Sequence, residues 1–90
     1  MSNMEIEVFD DVLRKVLQEK ATSNIAVEVY QGTIKSAGCT IWWFMTIVCD
    51  SYTKRPYPFF FSSNMSDDEL DDTYGQFQEK MRLLRNLNTK

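Results

Sequence analysis

The chain contains no histidine. Its absence removes the usual general base near neutral pH, the commonest transition-metal ligand and the ordinary Ser-His or Cys-His nucleophile pair. A conventional hydrolase or zinc centre is thereby close to excluded. Glycine-rich phosphate loops and nucleophile elbows are missing as well, since no G-x-G-x-x-G, P-loop or G-x-S-x-G stretch occurs. No catalytic, cofactor-binding or metal-binding residue is therefore assigned, and the chain is not expected to be an enzyme. With three glycines and two prolines there is no interdomain linker, and no internal repeat appears. The longest apolar run, Ile41 to Cys49 with Thr46 inside it, is about half of the roughly 20 residues a membrane-spanning helix needs. Met1 to Val8 has no basic region leading into an apolar stretch, so neither a signal peptide nor a presequence is read there, and a cytoplasmic location is expected. Cysteine is scarce too. Cys39 and Cys49 stand outside any C-x-x-C pattern, and ten residues of strand would separate them by roughly 30 Å, too far for a disulfide. Both read as packing residues in a reducing interior.

What remains is a 90-residue chain, 43% hydrophobic and 26% charged, with a net charge of −3, read as one α+β domain over residues 1–90. For its 10.6 kDa the surface scaling gives roughly 5,500 Å² folded, enough burial for a thin core. Phe9, Val12, Leu13, Val16 and Leu17 recur at helical spacing, Ser2 and Glu5 fit a capping box, and Asp10-Arg14 and Asp11-Lys15 are favourable pairs. These predict a helix over about 4–20. Ile25, Val27 and Val29 alternate with more polar neighbours and predict a strand over 25–30. Gly32 and Gly38 bracket a connection, Thr40 to Cys49 is dense in β-branched and aromatic residues, and Tyr57 to Phe61 reads as a short third strand. Pro58 implies that this strand lies at a sheet edge or begins at that proline. Ser66 and Glu69 form a second capping box with Met65 and Leu70 as its hydrophobic staple, after which Leu70, Tyr74, Phe77, Met81 and Leu84 mark the buried stripe of a closing helix. The expected architecture is a two-layer αβββα domain: a three-stranded antiparallel meander with both amphipathic helices on one face.

Two surfaces stand out as partner-binding candidates. Ile41, Trp43, Met45 and Ile47 are uninterrupted by polar residues and are expected to face the helices. The opposite parity, Thr40, Trp42, Phe44, Thr46 and Val48, together with Phe60, is then left for a partner, for a covering terminus, or for a self-complementary sheet-to-sheet dimer. The second surface is the acidic opening of the last helix, Asp67, Asp68, Glu69, Asp71 and Asp72. Dipole complementarity accounts for the first three carboxylates but less well for Asp71 and Asp72, which lie a turn further on and repel Asp67 and Asp68. A solvated helix face competes with a docking patch for a basic partner or a nucleic-acid mimic, and a divalent-metal site is disfavoured because carboxylates along one regular helix do not wrap around an ion. A nucleic-acid alternative rests on Lys35, Lys54 and Arg55 beside Trp42 and Tyr57, in a central region that carries +2 between segments of −3 and −2.

The order helix, three strands, helix resembles double-stranded RNA-binding domains and the RNA-binding subunits of the signal recognition particle's Alu domain. Where the former present lysines at the start of the final helix, this chain has Asp67-Asp68-Glu69. In size, acidity and mixed α+β content it is similar to small inhibitors encoded by bacteriophages, including some anti-CRISPR proteins. The expectation is a non-catalytic acidic module that binds a protein partner stoichiometrically, as an inhibitor or adaptor of a larger, basic or nucleic-acid-binding protein, with no membrane and no cofactor involved.

Overall fold

A computed structural model describes the backbone of residues 3–88 and the side chains of residues 8–86. The elements run α1 (Asn3–Thr22), β1 (Ala26–Ser36), β2 (Cys39–Cys49), β3 (Pro56–Ser62) and α2 (Asp67–Asn88). The strands form one antiparallel sheet in the order β1-β2-β3, and both helices lie on the same face of it. Phe9 of α1 packs its ring 5.3 Å from that of Phe44, and Phe77 of α2 meets Phe59 edge-on at 5.8 Å. The two-layer αβββα architecture read from the sequence is the one observed. No described helix is long and apolar enough to cross a membrane.

The second capping box forms as its residues require: the Ser66 N–H donates to Glu69 Oε1 at 2.9 Å and the Glu69 N–H returns to Ser66 Oγ at 3.2 Å. The first falls on Ser2 and the side chain of Glu5, outside the described residues. On α1, Lys15 pairs with Asp11 at 3.1 Å, whereas Asp10 and Arg14 form no such pair.

The long β1-β2 hairpin departs from expectation. β1 does not end at Tyr30 but runs through Gly32 to Ser36, and the turn is Ala37-Gly38 alone, with φ of 51° and 77°. Positive φ at both central residues is the geometry of a two-residue turn whose twist suits the flanking strands. Gly32 is a seat rather than a breaker. It lies opposite Trp43, and a Cβ there would come within 2.8 Å of the indole. β3 reaches only from Cys49 to Trp43, so Thr33 to Trp42 extends beyond it as a two-stranded arm. The molecule is accordingly elongated, 49 × 20 × 19 Å, and its accessible surface of 6193 Å² exceeds the roughly 5,500 Å² expected for its mass.

The facing of β2 is the reverse of the expectation. Phe44, Thr46 and Val48 are fully buried beneath the helices, while Ile41, Trp43, Met45 and Ile47 lie on the uncovered face. β2 is apolar on both sides, so its own pattern does not decide; its neighbours do. On β1, Val27 and Val29 flank exposed Glu28 and face the core. Antiparallel register sets them beside Val48 and Thr46, while β3 sets Phe61 and Phe59 beside Phe44 and Thr46. Directly opposed residues share a face, so β2's even positions follow inward. The core then closes with Phe9, Val12, Val16, Ile25, Leu70, Phe77, Met81 and Leu84.

Two backbone bonds fix which peptide groups each strand uses. The Ser63 N–H donates to the Trp42 carbonyl at 2.7 Å and the Asp50 N–H to that of Arg55 at 3.1 Å. By antiparallel alternation, odd residues of β3 and even residues of β2 bond each other, and even residues of β1 bond odd residues of β2. Pro56 and Pro58 thus occupy outward positions where no ladder bond is lost, and β3 is the edge strand that Pro58 implied.

Candidate functional site

The face of the sheet away from the helices is built from the even positions of β1 and β3 and the odd positions of β2. Tyr30, Ile34 and Phe60 are each 49% exposed, and Ile41, Met45 and Ile47 are half-buried between them. Trp43 lies across Gly32 and stacks on Phe60, with ring centroids 6.1 Å apart and planes inclined by 25°. From strand spacing and rise, this face projects about 450 Å², the size of the largest apolar patches on soluble monomers. Its only ionisable carboxylate is Glu28, which accepts the Tyr30 hydroxyl at 2.9 Å; that bond holds the phenol above its ordinary pKa. No lysine or arginine shares the face.

The candidates read from the sequence are distributed differently. Phe44 is removed from contention by full burial, its ring stacked on Phe61 at 4.5 Å. Phe60 is exposed, but on the face opposite Phe44, beside Trp43. Trp42 is 51% exposed at the root of the arm, on the helix side, where it joins Phe9, Asp10, Leu13, Gln31 and Thr33 around a cleft of about 600 Å³. The residues that sequence reasoning missed are Tyr30, Ile34, Ile41, Trp43, Met45 and Ile47. The signal that could have found them was the placement of Glu28 between Val27 and Val29. Cys39 is exposed at the hairpin end and is not a packing residue, and both cysteines are free thiols.

The acidic carboxylates are all exposed but differ in their contacts. Glu69 is occupied by the capping box. Asp71 lies near enough to Lys15 to help raise that ammonium's pKa, though Asp11, bonded to it, is the larger cause. Asp72 accepts the Gln76 side-chain amide at 3.1 Å. Asp67 and Asp68 remain exposed at the helix start, on the layer opposite the open sheet face. Asp71 and Asp72 also border a cleft of about 690 Å³ between α2 and β3, floored by Tyr57 and Phe59. There Lys80 Nζ sits 4.0 Å above the Tyr57 ring.

Lys35 stands near the hairpin tip, whereas Lys54 and Arg55 belong to the turn at the other end of β2. At about 3.3 Å per residue they lie roughly 30 Å apart along the sheet, and the aromatic platform between them carries no cation. Comparison of the chain with family models, curated proteins and solved structures gives no match.

Proposed function

We propose that this protein is a non-catalytic interaction module that binds a larger protein stoichiometrically, as an inhibitor or adaptor, through the open face of its sheet. The observation that carries the reading is the uncovered, cation-free apolar face centred on Trp43 and Phe60. Aromatic residues are enriched in interface centres, where flat rings supply area at little entropic cost. A nucleic-acid backbone would instead require cations flanking the stacked rings, and Glu28 is the charge found there. The acidic helix start, on the far layer, contributes steering toward a basic partner rather than contact.

The test is capture of a partner by the immobilised chain, with identification by mass spectrometry, comparing wild type with Ile34→Lys/Phe60→Lys and with Asp67→Asn/Asp68→Asn. All four side chains are exposed, so both variants keep the fold. The reading expects the first variant to lose the partner and the second to retain it with slower, less salt-sensitive association. Undiminished capture by the lysine variant overturns it.

A further inference from the structure

The two edges of the sheet are unlike. On β3 the outward positions include Pro56 and Pro58, which have no N–H to offer, and the outward Ser62 N–H is already directed at Met65 Sδ, 3.3 Å away. That edge cannot template another strand. On β1 the outward peptide groups are those of Val27, Val29, Gln31, Thr33 and Lys35, with no proline among them. Among the described residues, no hydrogen bond reaches these groups. The side of α1 above this edge carries two leucines, with Asp10 at its N-terminal end. Phe9, Val12 and Val16 point into the core, while Lys15 and Glu19 turn toward Tyr74 and Arg85 of α2. Helical periodicity then leaves Leu13 and Leu17 on the flank away from α2. Leu13 lines the cleft with Gln31 and Thr33, and Leu17 is 40% exposed.

From this asymmetry we infer that two copies of the chain pair antiparallel through β1, forming a six-stranded sheet with the Leu13/Leu17 flanks of both α1 helices packed across the two-fold axis. The proline-blunted β3 decides the occupant. A β1-to-β3 contact between copies would propagate into an open filament, and Pro56 and Pro58 block it; β1 against β1 satisfies both free edges at once and closes. From Val27 to Lys35 the free edge is about 30 Å long, and the molecule is 20 Å across. The shared side is therefore roughly 600 Å² per copy, about the lower bound of specific interfaces. This contact is separate from the open face, which stays exposed in the dimer and doubles in width.

Light scattering on the full chain across a dilution series tests the pairing, together with amide hydrogen exchange. The wild type is expected at twice the monomer mass at high concentration, with Val29, Gln31 and Thr33 amides protected there and unprotected on dilution. Gln31→Pro removes an outward N–H without removing a ladder bond and should halve the mass, as should Leu17→Arg, while Phe60→Lys leaves the dimer intact. If Gln31→Pro fails to fold, the exchange pattern of the wild type and Leu17→Arg decide. A monomer at millimolar concentration, or a dimer that survives both edge variants, overturns the inference. A dimer lost with Phe60→Lys overturns it too and assigns self-association to the sheet face.

Discussion

Thr46 is fully buried on the central strand, beside Val29 and Phe59 and beneath the helices, and its hydroxyl has no hydrogen-bond partner. An unpaired hydroxyl in such a place costs about 1–3 kcal/mol by the measure of protein substitutions. Thr46→Val keeps the β-branched shape and removes the orphaned oxygen, so the native state should gain about 1–2 kcal/mol. In urea unfolding followed by tryptophan fluorescence, a gain of 1 kcal/mol with a slope near 1–2 kcal/mol per molar moves the midpoint up by about 0.5–1 M. The melting temperature should rise by about 4–8 °C for each kcal/mol at this chain length. Thr46→Ser is the counterpart: it keeps the hydroxyl, deletes a buried methyl and should destabilise by about 1 kcal/mol. If Thr46→Val is neutral or destabilising with an unchanged slope, the hydroxyl is satisfied in solution and the reasoning from an unpaired buried oxygen is refuted.

Ala37 holds φ of 51° without the freedom of glycine, so Ala37→Asn, which tolerates that region, should stabilise the hairpin by about 1 kcal/mol, read as a raised melting temperature. Gly75 sits exposed within α2 with nothing near a would-be Cβ. Gly75→Ala should therefore add about 0.8–1 kcal/mol by helix propensity alone, checked by chemical denaturation. Asp50 is nearly enclosed in the β2-β3 turn, and its carboxylate accepts the N–H groups of Tyr52 and Thr53. Chiefly through the Tyr52 bond, these hold its pKa below the ordinary carboxylate value. Because the folded pKa is depressed, this stabilisation is full above the unfolded value near pH 4 and is lost as pH falls through the lower native one. Asp50→Asn should flatten that part of the acid limb in denaturation curves taken between about pH 2 and pH 5.

The element order was legible because both helices carry an apolar stripe at helical spacing, and Ser66 and Glu69 cap α2. β2 resisted because its apolar residues occupy both parities, and a strand read in isolation cannot say which side is covered. The information lay in another strand, in Glu28 between Val27 and Val29, and it becomes usable only once the register is known. Gly32 misled for a related reason. A glycine within β-rich sequence signals either a turn or a close approach, and only the position of Trp43 across the hairpin shows that it is the latter. The acidic run was correctly placed at a helix start. The cap and the Asp72–Gln76 bond are local spacings, whereas the approach of Asp71 to Lys15 of α1 is tertiary geometry that spacing does not reveal.

The central claim is that the Trp43/Phe60 face, not the Phe44 side, meets the partner. The most direct measurement is methionine-methyl NMR of the full chain, titrated with the purified partner. Met45 lies on the open face and Met81 in the core. Binding through the face should shift or broaden the Met45 methyl and leave Met81 unmoved. An unchanged Met45 signal in a saturated complex would contradict the account.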